Sequence, residues 1–200
     1  MALAVLAATP GAAPEAVGSW LLDCQAPACV LRHKDRLFSA AGVSADMEVR
    51  AAGKALVPVL TLRGLPDQVL LASSMAAKAT ASVQFPGAAR VDLACGIGDG
   101  LYICAPPDNA VAALAAVLPK ARSVAVRVAL SVPGTDLQPS RERLLELAAT
   151  PEALARLRAA GAPPAEPGGW VGLVDRGLKA AGYPNGARDL PGLVARYLGR

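Results

Sequence analysis

The chain has 200 residues, of which 54% are hydrophobic and 4% aromatic, and its formal net charge is +4. This length suits one domain with an appendage better than two full domains, and the core must be built mostly from valine, leucine and alanine. Basic residues are interspersed with acidic ones and form no stripe. The composition therefore argues against nucleic-acid binding, which normally needs clustered lysines and arginines.

The N-terminal residues 1–16 resemble the end of a secretory signal peptide. Met1 begins a short apolar run, and Gly11 and Ala13 have the spacing of a small-x-small cleavage site. The usual basic segment is missing, because no lysine or arginine precedes Arg32. The sequence predicts a signal-peptide remnant here, or alternatively a disordered Ala/Pro-rich terminus. The run is too short to span a bilayer, so no transmembrane segment is predicted.

Strand-like alternation dominates the first half of the chain. Residues 20–24 and 29–31 are joined by a four-residue connector, which predicts a hairpin with its cysteines facing one another. Residues 46–50 alternate charged with apolar side chains, which predicts a half-buried strand whose carboxylates are solvated. Residues 55–62 are nearly all apolar and predict a strand covered on both faces, with Pro58 placed at an edge or a bulge.

The second half of the chain mixes strand and helix patterns. Beyond Pro139 the periodicity becomes helical or mixed. Thr150 followed by Pro151 predicts the start of a helix, and Gly161 lies just past its end. Asp108 is expected to cap an earlier helix that Pro119 ends. Four further strands are predicted along the chain, at residues 69–72, 80–85, 90–93 and 124–132.

No residue pattern indicates a reaction. Gly96, Gly98 and Gly100 do not have the third glycine at the spacing of a dinucleotide-binding loop, and no helix follows them, so they predict a flexible loop. His33 is the only histidine, which leaves no partner for a two-histidine metal site and favours a surface or strand-end position. We therefore expect no catalytic residue, no bound metal and no cofactor.

Four cysteines form two closely spaced pairs, Cys24 with Cys29 and Cys95 with Cys104. With export they predict disulfides, although three connectivities are open. Local pairing is favoured because opposite side chains of a hairpin lie close to disulfide range. A zinc site is the alternative, but structural zinc sites use cysteines separated by two to four residues, and only the first pair meets that limit.

The C-terminal part of the chain is set apart by its composition. Residues 162–169 contain three prolines and two glycines, which predict a linker. Residues 170–200 hold two short amphipathic segments that predict a helical extension, and such short helices need a surface on which to dock. The candidate partner-binding residues of this extension are Trp170, Leu173, Leu193 and Tyr197.

Between residues 17 and 161 several short features follow one another in a distinctive order. A tryptophan precedes a close cysteine pair, then come a proline-interrupted apolar run, a second cysteine pair, a helix, a valine-rich strand and a closing helix. The positions are Trp20, Cys24, Cys29, Leu31, residues 56–60 and 64–66, Cys95, Cys104 and residues 124–132. This order resembles the invasion-associated locus B family, and residues 170–200 lie outside the resemblance.

Together with the strand pattern, the resemblance implies a mainly β fold, an antiparallel β-sandwich or barrel-like domain with one internal helix and a helical C-terminal extension. It also implies an exported bacterial envelope protein, periplasmic or secreted, in a family named for a member linked to host-cell invasion. We expect a non-catalytic binding or structural role with an envelope or host protein as partner. The alternative is a periplasmic enzyme or redox protein using Cys95 and Cys104, which would need an accessible thiol of low pKa.

Overall fold

The computed structural model describes residues 13–25, 28–40, 42–65, 78–98, 101–131, 140–163 and 165. Within them the protein is mainly β, with eleven antiparallel strands and two α-helices, which confirms the predicted fold class. The strands are β1 (Glu15–Val17), β2 (Trp20–Gln25), β3 (Ala28–His33), β4 (Phe38–Ala40), β5 (Val43–Ala52), β6 (Ala55–Arg63), β7 (Lys78–Gln84), β8 (Val91–Gly98), β9 (Leu101–Ala105), β10 (Ser123–Ser131) and β11 (Ser140–Glu146). The helices are α1 (Asp108–Val117), followed by a 3-10 turn (Leu118–Lys120), and α2 (Thr150–Ala160).

The strands form one hydrogen-bonded path in the order β1-β2-β3-β5-β6-β9-β8-β7-β10-β11, with β4 paired to β5. The path folds over at β8, whose first residues pair with β7 and whose later residues pair with β9. Its two ends also approach each other, since the Ser19 N–H donates to the Ala148 carbonyl at 3.1 Å. The sheet therefore curls round one interior and remains open, because β1 and β11 do not pair within the described residues.

One apolar core fills this interior. Alternate residues of the strands point inward, and the largest fully buried side chains include Trp20, Met47, Leu60 and Phe85. Helix α2 packs onto the same core through Ala153, Leu154 and Leu157, all buried. The Trp20 indole N–H donates to the Thr150 hydroxyl at 3.0 Å, which satisfies the polar atom of the buried ring and ties β2 to the start of α2.

Both helices begin where the sequence predicts, but their ends are made differently. Thr150 starts α2 with Pro151 in the first turn, and Gly161 follows with a φ of 88°, a conformation that glycine adopts at little cost. Asp108 is the first helical residue of α1 and provides no side-chain cap, so the predicted capping role is wrong. Its position in the first turn still suits the positive end of the helix dipole.

The segment after Pro139 is a strand, so the prediction of helical or mixed structure is wrong. Its register with β10 extends from Ser140 to Glu146. Leu145 is buried whereas Leu144 is 69% exposed, so two neighbouring leucines point to opposite faces as a strand requires. Pairing with β10 decides the conformation here, because strand formation depends more on neighbours than on local preference.

Pro58 lies in an interior strand, so its predicted place at an edge or a bulge is wrong. β6 pairs with β5 on one side and β9 on the other. The Ala51 N–H donates to the Pro163 carbonyl and so points away from β6. Backbone N–H groups two residues apart on a strand point to the same side, so the N–H of Val49, which lies opposite Pro58, also points away from β6. The side of Pro58 that lacks an N–H therefore faces β9, whose register with β6 covers only residues 60–62.

The glycine-rich segment is largely strand. Gly96 and Gly98 belong to β8, with Gly96 opposite Ile103 and Gly98 opposite Leu101, so the prediction of a flexible loop is wrong for these two glycines. Residues 99–100 lie outside the described residues. Residues 69–72 and 170–200 lie outside the described residues, as does the predicted helical extension.

Candidate functional site

The outer face of β5 carries three charged side chains that are buried. Asp46, Glu48 and Arg50 are 1%, 0% and 5% exposed, so the predicted solvated face of this strand is wrong. On the neighbouring strand β6, Thr61 lies opposite Asp46, and Arg63 is two residues further along the same face. We call these five residues the charged cluster.

Glu48 is the centre of the charged cluster. Arg50 donates from Nε and Nη2 to Glu48 Oε2 at 3.1 and 2.9 Å, and the Thr61 hydroxyl donates to the same oxygen at 2.9 Å. Arg63 donates from Nη2 to the other oxygen, Oε1. A carboxylate without access to water needs such partners, because an unpaired buried charge costs several kcal/mol. The two guanidinium groups therefore make the burial of Glu48 tolerable.

Asp46 is held far less well than Glu48. Arg36 Nε lies 3.7 Å from Asp46 Oδ1 and Arg63 Nε lies 3.7 Å from Oδ2, distances of ion pairs that are too long for hydrogen bonds. Asp46 Oδ1 and Arg63 Nε are both buried without a hydrogen-bond partner. Burial raises the pKa of Asp46 above its ordinary value, and Glu48 raises it further, while Arg32, Arg36 and Arg63 act in the opposite direction.

An apolar patch adjoins the charged cluster on the same face of the sheet. It consists of Val57 and Val59 from β6 with Ile103 and Ala105 from β9, and these are buried together with Ala165. Val111 and Ala115 of α1 pack against the patch. The strands β5, β6 and β9 are thus covered on both faces, which fits the prediction made for residues 55–62.

The first residues of the predicted linker run along the sheet. β3 and β5 pair only at two positions, and beyond them the Cys29 N–H donates to the Gly161 carbonyl at 2.8 Å. Ala51 donates its N–H to Pro163 at 2.8 Å and accepts from Ala165 at 2.7 Å. Gly161, Pro163 and Ala165 therefore lie between two diverging strands and satisfy backbone groups that the two strands leave unpaired.

The structure contains both disulfides, in the local pairing that the sequence favours. Cys24 lies directly opposite Cys29 and Cys95 directly opposite Cys104, with Cα–Cα distances of 4.0 and 3.8 Å. Because the Cys29 N–H points to Gly161, the first pair is a non-hydrogen-bonded one, in which opposite side chains are closest. No free cysteine is left for the zinc alternative.

The second disulfide is poorly placed for exchange chemistry. Cys104 is 0% exposed and Cys95 is half-buried, and both side chains face the core. Thiol–disulfide exchange requires a thiolate to reach one of the two sulfur atoms. This burial weighs against the redox alternative for Cys95 and Cys104.

His33 is a buried structural residue at the end of β3. The predicted strand-end position is confirmed, but the predicted surface exposure is wrong, because His33 is 2% exposed. Its Nδ1 accepts from the Asp35 N–H at 3.0 Å and its Nε2 lies 2.9 Å from the Glu146 carbonyl, which corresponds to the tautomer protonated at Nε2. The ring also packs edge-on against Trp20 at 5.5 Å between centroids. His33 therefore links β3 to β11.

The sequence contained a signal for the charged cluster that the alternation of residues 46–50 concealed. Residues 55–62 already indicate a strand buried on both faces, and such a strand needs neighbours whose outer faces are covered as well. The four candidate partner-binding residues lie outside the described residues; they are Trp170, Leu173, Leu193 and Tyr197.

Fold and site define a disulfide-linked, mainly β domain with a buried ionic network on its outer face. No protein-family model, curated protein or solved structure matches the chain. The resemblance to the invasion-associated locus B family therefore remains a prediction. Within the part of the chain that the structure describes, neither helix is long and apolar enough to cross a bilayer. The same residues contain no group of three or more histidine, cysteine or carboxylate side chains suited to a metal ion.

Proposed function

We propose that this protein is an exported bacterial envelope protein, periplasmic or secreted, that acts as a non-catalytic binding or structural module. One observation carries the proposal: two disulfides join opposed cysteines at two separate places in the sheet. Disulfides persist in oxidising compartments such as the periplasm and are rare in the reducing cytosol. The signal-like residues 1–16 and the family resemblance agree with this location.

The geometry of the ionisable groups supports a role without catalysis. General acid–base chemistry needs a group within reach of a substrate. Glu48 is fully buried and bound by Arg50 and Arg63, and the His33 ring is occupied by two backbone groups. These side chains hold strands together and are almost fully buried. An envelope or host protein is the proposed partner, as the family resemblance implies, and the charged cluster links β5 to β6.

Peptide mapping of the unreduced protein, purified from fractions of the producing bacterium, tests the proposal. Trypsin releases Cys24 and Cys29 in the peptide that ends at Arg32, and it releases Cys95 and Cys104 together in peptide 91–120. We expect both peptides to resist alkylation, to appear separately and to come from the exported fraction. A crossed pairing would instead link the two peptides covalently.

Two results would contradict the proposal. Alkylated Cys95 and Cys104 in freshly lysed cells would indicate a reduced compartment. A mixed population, in which peptide 91–120 cycles between thiol and disulfide with growth conditions, would favour the redox alternative. The peptide containing Cys24 and Cys29 is the internal control, since a redox enzyme that used only the second pair would leave it oxidised.

A further inference from the structure

Strand β11 forms one edge of the sheet. It pairs with β10 over its whole length, and it pairs with no other described strand. The Leu147 N–H, just past the strand, donates to the Arg122 carbonyl in continuation of the same register. Backbone groups of alternate residues point to the same side of a strand, so the odd-numbered residues of β11 direct theirs toward β10. Glu142 and Leu144 direct theirs to the opposite side, which we call the free edge of β11.

A contact at the end of β11 agrees with this direction. The Glu146 carbonyl lies 2.9 Å from His33 Nε2, on the side away from β10. Among the described residues, however, none bonds to the backbone N–H or C=O of Glu142 or Leu144. An edge strand in this state offers a row of backbone donors and acceptors to another strand.

Side chains, and not backbone groups, link the free edge to the connection between β3 and β4. His33 ends β3, and Arg36 belongs to the connection that follows it. Arg143 donates from Nη1 to the Arg36 carbonyl. From Glu146 to Arg143 the chain moves three residues back, and from His33 to Arg36 it moves three residues forward, so the two segments run antiparallel without pairing. Among the described strands, the sheet is therefore interrupted at a seam beside β11.

The two faces of β11 differ along the free edge. Leu144 is 69% exposed on the outer face. Arg143 lies on the same face as the buried Leu145, yet Arg143 is exposed. It has no carboxylate partner among the described residues, since the hydrogen bond that it makes goes to the Arg36 carbonyl. An added strand would meet an apolar side chain on one face and a guanidinium group on the other.

The charges around that guanidinium group favour an acidic partner. The connection across the seam has Lys34 and Arg36 exposed, against the single acid Asp35. The acidic residues of β11 are Glu142 and Glu146, and period-two alternation places both on the opposite face from the guanidinium group. A carboxylate of an added strand therefore suits the side of the seam on which the basic groups lie.

We propose that the free edge of β11 binds an extended segment of a partner protein by strand addition, and that this segment has an acidic residue beside an apolar one. Main-chain hydrogen bonds to Glu142 and Leu144 supply the affinity in this mode of recognition. Neighbouring residues of a strand point to opposite faces. The acidic residue therefore reaches Arg143 while the apolar residue packs against Leu144.

The inference rests on the proposed function, because it names how the binding module holds its partner. The two can nevertheless fail separately. Reduced cysteines in the cell would contradict the envelope location and leave the free edge as it is. Failure of strand addition would leave the disulfides and the location as they are.

Fluorescence anisotropy with a fluorescein-labelled peptide tests the proposal on the full-length, oxidised protein. The probe is a short peptide that alternates glutamate with valine, and the control peptide has lysine in place of each glutamate. We expect saturable binding of the acidic peptide, with a Kd lower by about tenfold or more than that of the lysine peptide at low ionic strength.

Leu144→Pro tests whether the backbone of the free edge makes the contact. Proline removes an N–H that points away from β10, so the hydrogen bonds between β10 and β11 stay in place. We expect the affinity for the acidic peptide to fall by about tenfold or more, because the added strand loses a main-chain hydrogen bond and meets the proline ring. Leu144→Ala keeps the N–H and should reduce the affinity less.

A pair of arginine variants tests the charge preference. Arg143→Gln should weaken binding of the acidic peptide by about three- to fivefold, the effect of an exposed ion pair. Arg127→Gln changes an exposed arginine of β10, away from the free edge, and should leave the affinity unchanged. If the urea unfolding midpoint of Leu144→Pro falls below that of the native chain, this pair decides by itself.

Three results would overturn the proposal. The first is equal affinity of the native chain and a stably folded Leu144→Pro for the acidic peptide. The second is absence of binding, or equal binding of the lysine peptide. The third is a native chain that sediments as a dimer and becomes a monomer in Leu144→Pro, because the free edge would then belong to a second copy.

Discussion

Strands β5 and β10 have similar sequence patterns but different surroundings. Both alternate apolar with more polar residues, and in both the apolar set faces the core, as Met47 does in β5 and Val126 in β10. In β10 the other face carries Arg127, which is exposed. In β5 the other face carries Glu48, which is fully buried.

This difference teaches that alternation identifies the residues that share a face but not what lies above that face. β10 lies between β7 and β11, far along the path from the chain segments that cross the outer face. β5 lies beside β6, whose outer residues are covered by α1 and by Ala165. Glu48 lies opposite Val59 of this apolar patch, and both side chains are fully buried.

Removing the carboxylate of Glu48 should give the largest effect. Glu48→Ala removes the carboxylate to which the buried Arg50 is bound and leaves Arg63 with only the more distant Asp46. Breaking a buried ion pair by removing one partner costs about 3–5 kcal/mol. The control is Glu142→Ala on β11, where the exposed partner Arg90 can return to water, and the expected cost is below about 1 kcal/mol. Urea unfolding of both variants measures the contrast. Similar losses in the two variants would show that burial does not distinguish the two sites.

Loss of the Cys95–Cys104 disulfide on the core-facing side of the sheet should give the next largest decrease in the free energy of unfolding. Replacing Cys95 and Cys104 together by alanine removes a cross-link that closes a short loop, which lowers the free energy of unfolding by about 2–3 kcal/mol. Unfolding in denaturant, with the native chain under reducing conditions as a second comparison, measures this loss. An unchanged midpoint would mean that β8 and β9 are held together without the bond.

A smaller loss is expected when the hydroxyl of Thr61 is removed. Thr61→Val keeps the shape of the side chain but deletes a hydrogen bond to a buried carboxylate, which is worth about 1.5–3 kcal/mol. Thr80→Val at an exposed position of β7 is the matched control and should change the unfolding free energy by less than about 0.5 kcal/mol. Equal stability of the two variants would remove Thr61 from the network that holds Glu48.

The smallest expected effect is a pH dependence that originates at Asp46. Its pKa is raised in the folded protein, so between the unfolded and the folded pKa the native state binds more protons than the unfolded state. Stability therefore falls as pH rises through that acidic window and levels off above the folded pKa. Unfolding free energies of the native chain and of Asp46→Asn, measured across the window, should differ by an amount that drifts in favour of the variant with rising pH. A constant difference would contradict the raised pKa.

Much of the fold was predictable because its signals are local. The register of Cys24 with Cys29 follows from a short connector, and the start of α2 follows from Thr150 and Pro151. β11 was not predictable, because its leucines fit a helix as well as a strand until β10 pairs with them. The interior position of Pro58 was not predictable either, because it depends on where the register of β9 ends.

The candidate site divides in the same way. By itself, the sequence determined which side chains of β5 share a face, since period-two alternation is a property of any strand. It also determined the mainly β class and the two cysteine pairs. Only the tertiary structure decided that Asp46 and Glu48 are buried, because their partners Thr61 and Arg63 come from another strand, which the pattern of β5 cannot encode. That burial turns ordinary surface charges into a buried ionic network, in which the free energy of each group depends on partners from several elements.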